Sequence, residues 1–545
     1  MRQAFHVKAE VPVGARVALV AVFVLLAWSY WPVTRGDFVI DDYVFLATAR
    51  MVDQPWVAFW QSHFYEPYYF RPVGVLSWWL AQHAFGLDYF PHALVNLGLH
   101  AANAFLLWGL LRVLAVQGWA AVAAVALFAQ APFGLGPALW PSNRFDLLAT
   151  GFLLLLARLV LAALRRPRPV LPLLAAMLAA VAACWSKELA FPVATALATV
   201  VLFDRAATRS RRMLVFACLG VAIGAAFGWR HLILADAYAV VQGDPLRAVA
   251  NGLSTLGALV PALVSGALGG GRGGFWLGLL ALVAVLALVS GLRLRRGPGS
   301  ELPSRALVVA ACVVALVAIV VQAPLAGLFA PLVDGSAFGV VTYLRFYYAP
   351  WAVIVLVLAL VLSRVPSSRG LSVVVMLLAC LAAVWGRPLG TSFAQWVLSD
   401  VRPYSLAATS VVDSVRGDEP CMLVFLGTQV RHPYFRMFSD VTVKARAANP
   451  ASSWRCFVMT ESTPWLFAFP IGEALPEWPL PRIPNPDGST KSDSTWGGVR
   501  YRYRVAPSNL AVLPGARFYE WRADRFVDVT TEVRDGTRKA PGQPW

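Results

Sequence analysis

VALVAVFVLLAWSYWPVTRGDFVIDDYVFLATAR, residues 17–50, decides the fold class. Val17 to Trp31 is an apolar run with Ser29 its one polar residue, and Trp28, Tyr30 and Trp31 close it with the aromatics favoured at a membrane interface. With its flanks it reads as a membrane helix over about residues 15–33. Arg2, Lys8 and Arg16 precede it in the manner of a signal peptide, but a small-residue cleavage site is missing, so it is read as an uncleaved first helix. Just beyond the span stands the acidic pair Asp41-Asp42, in a chain where only 14% of residues are charged. Two readings stay open for it: a solvated loop turn, or a general base at the mouth of a lipid-facing cavity.

The rest of the chain extends the first reading. Of 545 residues 59% are hydrophobic, and the mean hydropathy is +0.63. Soluble domains carry about 45–50% apolar residues. Apolar runs recur to about Gly386, and helices are the default for such runs because backbone groups in hydrocarbon must be paired internally. The net charge of +17 is explained by basic cytoplasmic loops and anionic headgroups rather than by nucleic acid. Zinc-ligand spacing and a nucleotide-phosphate loop are both missing. Cys184, Cys218, Cys312 and Cys380 fall in or at the ends of apolar helices and read as packing residues. Cys421 and Cys456 lie in the polar C-terminal part and can pair if that part is extracytoplasmic.

Basic clusters orient the spans: Arg165-Arg166-Pro167-Arg168, then Arg205 to Arg212, Arg293 to Arg296, and Arg364 with Arg369. Placing these and the N-terminus in the cytoplasm predicts helices near 15–33, 92–114, 117–133, 145–164, 170–186, 189–204, 212–234, 275–292, 306–327, 346–363 and 371–387. That is about eleven, in a cell (inner) membrane, with the C-terminus outside. Residues 249–268 break the alternation and are expected to be interfacial or re-entrant; a twelve-helix count with a cytoplasmic C-terminus is the alternative. The first outer loop, 34–91, is aromatic-rich and is expected to lie along the membrane surface. The domains expected are 1–387, a transmembrane catalytic part, and 388–545, a small α/β or β-rich part whose strands are CMLVFLG, RCFVMT, GVRYRYRVA and FVDVTTEV.

Polar residues in a membrane protein mark cavities or helix contacts. His92, Asn96 and His100 share one helix face at i, i+4, i+8, extended by Asn103, where interhelical hydrogen bonding and ligand contact are about equally expected. Arg71 follows Tyr68-Tyr69-Phe70, Arg144 and Asp146 sit in Asn143-Arg144-Phe145-Asp146, Lys187-Glu188 makes a tight turn, and Arg345 lies in YLRFYY with Tyr348. A lipid-headgroup anchor is the plainer reading for Arg71; Arg144 and Asp146 can be a local charge pair; and for Lys187-Glu188 a structural turn and a phosphate-binding lysine stay open. Together, however, Arg71, Arg144, Lys187 and Arg345 fall on the same predicted outer face as the acidic pair, which suits a lipid-linked phosphate donor.

FVIDDYVFL, YYFRPVGVLSWWL, PHALVNLGLHAANAFLLWGLLR, WPSNRFDLLATGFLLLL, SKELAFPVATALATVVLFD and YLRFYYAP, in this order over residues 35–365, resemble the GT-C superfamily of polyprenyl-phosphate-sugar-dependent glycosyltransferases. The nearest likeness is to its bacterial and transmembrane TPR-containing O-mannosyltransferase-like branch. The resemblance implies an inverting transfer at the outer face. Asp41 matches the base that activates an acceptor hydroxyl, and Asp42 a second, supporting acid. Arg71, Lys187 and Arg345 match positions for the lipid phosphate, while His92, Asn96, Arg144, Asp146, Glu188 and Tyr348 are cavity or substrate positions. Partners implied are a polyprenyl-phosphate-linked sugar, a glycan, lipid or protein acceptor, and the bilayer. No cofactor and no metal is implied, since several branches work without one. The chain departs from the branch in lacking its TPR array and in carrying Leu344 where an acid is common. The other readings are a transporter or flippase of lipid-linked glycans, which internal repeats would mark, and a non-catalytic scaffold.

Overall fold

The computed structural model describes residues 12–39, 42, 45, 46, 49, 54–60, 70–116, 118–204, 206–234, 311–318, 345–363, 368–414, 421–426, 456–460, 465–468, 501–504, 515–522 and 525–537. The chain divides into two units: residues 1–36, 90–232 and 239–394, and residues 37–89, 233–238 and 395–545. The outer loop thus falls in the same unit as the C-terminal part, whereas the sequence reading grouped it with the spans.

The first unit is helical. Its helices are α1 (Val13–Tyr30), then, after α2 of the other unit (Pro72–Phe85), α3 (Tyr89–Val113), α4 (Gly118–Gln130), the short α5 (Leu135–Leu139), α6 (Arg144–Arg165), α7 (Val170–Cys184), α8 (Ala190–Val200), α9 (Arg209–Leu234), α10 (Tyr348–Leu362) and α11 (Ser368–Trp396). Among the described residues six helical stretches are long and apolar enough to cross a membrane: Val13–Arg35, Tyr89–Val113, Pro141–Arg165, Arg209–Leu234, Arg345–Leu362 and Ser372–Ser399. The chain is a multi-pass helical membrane protein. The expected span at 275–292 and the segment 249–268 lie outside the described residues; of 306–327 only 311–318 is described, as helix.

Alanine-rich helices with apolar residues on every side belong in the middle of a bundle, and α4 obeys: Ala120 through Gln130 are all buried. Gln130 sews it to α1, accepting from Ser29 Oγ at 2.9 Å and donating from Nε2 to the Val22 carbonyl at 3.2 Å. A second apolar core joins α6, α7, α8 and α9 through Leu156, Ala163, Ala176, Ala183, Ala194, Val215 and Leu219. Helix α11 runs past the expected end at Arg387, through Pro388. On that side Gly386 and Gly390 bring its backbone against Leu135 and Leu139 of α5. This contact carries the helix past the one backbone bond that proline removes.

The second unit contains α2, α12 (Arg402–Ser414), α13 (Thr530–Arg534) and six strands: β1 (Cys421–Leu426), β2 (Cys456–Thr460), β3 (Trp465–Ala468), β4 (Tyr501–Arg504), β5 (Ala516–Arg522) and β6 (Arg525–Asp528). They form one sheet in the order β4-β3-β2-β1-β5-β6. β1 is central and parallel to both β2 and β5, and the outer pairings are antiparallel. Central β1 reads as a continuous apolar run, as a strand covered on both faces should, and Leu423, Val424, Phe425 and Leu426 are buried. The four expected strands correspond to β1, β2, β4 and β6; β3 and β5 are additions. The run FVDVTTEV stops being strand at Asp528, whose Oδ1 accepts the Thr530 N–H at 2.9 Å and turns the chain into α13.

Candidate functional site

Proline decides the local structure after α4. Pro132, Pro137 and Pro141 break the run into the 3-10 turns Pro132–Gly134 and Pro141–Asn143 with α5 between them. Each break frees carbonyls that hydrocarbon cannot hydrate. The polar stripe of α3 meets that need. Asn96 Nδ2 donates to the carbonyls of Pro137 (2.9 Å), Trp140 (3.3 Å) and Pro141 (3.4 Å). His100 Nε2 lies 3.1 Å from the Ala129 carbonyl and Nδ1 2.8 Å from the Tyr348 hydroxyl. A carbonyl can only accept, so the proton sits on Nε2 and the Tyr348 hydroxyl donates to Nδ1. Asn103 Nδ2 donates to the same hydroxyl at 3.1 Å and to the Leu147 carbonyl at 2.9 Å. Of the two readings kept for the stripe, interhelical bonding accounts for Asn96, His100 and Asn103 together. Tyr348, fully buried, spends its hydroxyl on the same network.

The broken segment ends in Trp140-Pro141-Ser142-Asn143-Arg144-Phe145-Asp146, and this motif gathers the cations. Arg144 is wholly buried; its Nε donates to Asn96 Oδ1 at 2.9 Å and its Nη2 to the His92 carbonyl at 3.3 Å. An arginine at a helix N-terminus opposes the helix dipole, so these bonds, rather than helix stability, explain its place. Asp146, two residues on, binds Lys187 Nζ at 2.5 Å, with both side chains buried. Asn143 Oδ1 accepts from Arg345 Nη1 at 3.0 Å, while its Nδ2 donates to the Gly136 carbonyl at 3.0 Å. The Arg345 guanidinium lies 4.8 Å from the centroids of both the Trp140 and Phe346 rings, and Lys187 Nζ lies 5.8 Å from the Phe346 centroid. Lys187 and Arg345, distant in sequence, therefore share one aromatic ring. The platform residues Trp140, Asn143 and Phe346 were not singled out from sequence; the signal available was the proline triplet facing the amide stripe.

The remaining positions are placed as follows. His92 is buried, and Glu188 is half-buried in the turn beside Lys187. In the second unit Asp42 is fully buried, and its Oδ2 accepts the Val39 N–H at 2.9 Å. Arg71 precedes α2, its carbonyl accepting the Val75 N–H at 3.0 Å. Asp37 there pairs with Arg402 at 3.6 Å. Asp41 lies outside the described residues. Among the described residues no three His, Cys, Asp or Glu side chains are grouped as metal ligands.

The opposite ends of the same helices are arginine-capped. Arg165 Nη1 donates to the Val113 carbonyl (2.9 Å), Arg211 Nη1 to the carbonyls of Leu164 (3.3 Å) and Arg166 (2.9 Å), and Arg212 Nη1 to that of Leu202 (2.6 Å). These are helix C-terminal carbonyls without an intrahelical donor. α3 and α6 thus run from the Arg144 cluster to an arginine-rich end, and α7 runs back to Lys187.

No protein-family model matches the chain, and no curated protein does. Solved structures similar to it include ArnT from Cupriavidus metallidurans bound to undecaprenyl phosphate, at 14% identity and a TM-score of 0.47, over 82% of this chain and 90% of that one. The Archaeoglobus fulgidus oligosaccharyltransferase in complex with Zn and sulfate gives 14% and 0.44, over 78% and 61%. The archaeal oligosaccharyltransferase AglB from the same organism, with an inhibitory peptide and a dolichol-phosphate, gives 14% and 0.42, over 79% and 64%. Likenesses of this size leave function to the chain's own residues.

Proposed function

We propose that the protein is an inverting membrane glycosyltransferase that moves a sugar from a polyprenyl-phosphate donor to an acceptor hydroxyl, on the membrane side opposite the arginine-capped helix ends. One observation supports this most: a single motif fixes Lys187 and Arg345 against the same ring, at the end of the bundle away from the basic loops. Basic loops face the cytoplasm, so this end faces outward.

The two cations serve a departing phosphate differently. Lys187 shares its charge with Asp146 and brings a compact ammonium, a donor only. Arg345 is held by a neutral amide and two ring faces, and brings a planar fork matched to phosphate oxygens. For Asp41, Asp42 and Arg71 the roles rest on the resemblance of their motifs. Asp41 takes the proton of the acceptor hydroxyl, Asp42 supports it, and Arg71 serves the phosphate. The hydroxyl oxygen then bonds to the anomeric carbon as the bond from that carbon to the phosphate oxygen breaks. The lipid phosphate leaves with the electron pair, and the sugar's configuration inverts.

The test is transfer from a panel of polyprenyl-phosphate sugars by purified protein, wild type beside Asp41→Asn. Transfer by wild type and none by the folded variant is expected, since the substitution removes the base at constant volume. Near-wild-type turnover by Asp41→Asn would refute the base. No turnover with any donor, together with movement of a lipid-linked glycan across vesicles, would replace the enzyme with a transporter.

A further inference from the structure

We propose that Cys421 and Cys456 form an intramolecular disulfide that ties β1 to β2, a modification site independent of the glycosyltransferase reading. The chain has six cysteines. Cys184, Cys218, Cys312 and Cys380 lie in the apolar helices as free thiols. The other two are the only cysteines after residue 388, and the parallel pairing of β1 with β2 sets them opposite each other as Cα partners.

That register is restrictive. Residues in register on neighbouring strands lie on the same face of a sheet, and a slip of one residue would put them on opposite faces. Neighbouring strands lie about 4.7–4.9 Å apart, inside the roughly 4.4–6.8 Å Cα separation that a disulfide spans. Each cysteine is also the first residue of its strand. Strand ends are held by a ladder on one side only, which lets the backbone make the small adjustment that a disulfide between parallel neighbours needs. The bond closes a loop of about 35 residues, long enough for restriction of the unfolded chain to stabilise the sheet.

The chemistry balances with a thiol–disulfide oxidoreductase as oxidant. One cysteine thiolate attacks the oxidant's disulfide, and the second displaces it from the mixed disulfide. The two cysteines lose two protons and two electrons in total, and the oxidant leaves as a dithiol. Such oxidants act outside the cytoplasm, so the bond also reports which side of the membrane this sheet occupies.

The experiment uses the full-length protein, prepared without reductant, with free thiols blocked by N-ethylmaleimide during denaturing lysis and the digest mapped by mass spectrometry. The expected result is one linked peptide pair containing Cys421 and Cys456, without blocker, that separates on reduction, while the four helix cysteines carry the blocker. In Cys421→Ser, Cys456 should become reactive to the blocker. Finding both thiols blocked in the unreduced wild type would overturn the proposal, as would a link from either cysteine to any other. The wild-type map decides the matter even if the serine variant fails to fold.

Discussion

Asp146→Asn, Lys187→Met and the double variant test whether the Asp146–Lys187 pair is built for stability or is kept for its charge. The pair is 2.5 Å long, with side-chain exposures of 3% and 9%. At that separation and an effective dielectric constant of about 20, the gross attraction is about 6–7 kcal/mol. Desolvating two ions costs several kcal/mol each, so the pair's net contribution over an apolar pair is close to zero. Removing one partner instead strands a buried charge, at about 3–5 kcal/mol. Each single variant should therefore lose about that much, and the double variant far less than the sum. Unfolding in mixed micelles, read as a double-mutant cycle, measures this directly. Single losses below about 1 kcal/mol, as for an exposed pair, or strictly additive losses would refute the reasoning. A second readout separates stability from function: the double variant should fold yet bind polyprenyl phosphate more weakly, because the ammonium donors are gone.

Three further outcomes follow from the same geometry. Arg345→Lys keeps the charge but loses the fork and the two ring faces, so polyprenyl-phosphate affinity should fall by about tenfold or more; unchanged binding would remove Arg345 from the donor site. Tyr348→Phe leaves His100 Nδ1 without its donor and Asn103 short of an acceptor, so stability should drop by about 1–3 kcal/mol, and an unchanged unfolding curve would show that the network does not bear load. At Gly151 an added Cβ would stand 2.5 Å from Asn103 Oδ1. Gly151→Ala should accordingly cost about 1–3 kcal/mol, and a neutral melt would mean that α3 and α6 are not so closely packed.

Hydrophobic length made the spans legible. The expected 170–186, 189–204 and 212–234 meet helices Val170–Cys184, Ala190–Phe203 and Arg209–Leu234 within a few residues, although of these three only Arg209–Leu234 has the length of a crossing. Periodicity also found the strands that combine an apolar run with flanking turns, but not β3, whose four residues are too short to alternate, nor β5, whose ARFYEWR mixes charge into both faces. At the site, sequence spacing placed His92, Asn96 and His100 on one face but could not say what that face meets. The answer depended on carbonyls freed by prolines some forty residues away. Likewise Asp146 and Lys187 were each read beside their chain neighbours, Arg144 and Glu188. Their actual pairing joins α6 to the turn after α7, a contact that only the packing of the helices reveals.

The shortness of α4 has a consequence for depth. Thirteen residues rise about 20 Å, against about 30 Å of hydrocarbon. The helix is therefore about 10 Å shorter than the hydrocarbon is thick. The proline-broken segment continues the chain beyond it, its carbonyls met by the amides of Asn96 and Asn143. Lys187 and Arg345 are held beside that segment, through Asp146 and Asn143. On the proposed function, a phosphate carried on an isoprenoid tail would meet these two cations from within its own leaflet, whereas a soluble phosphate would have to leave water to arrive there.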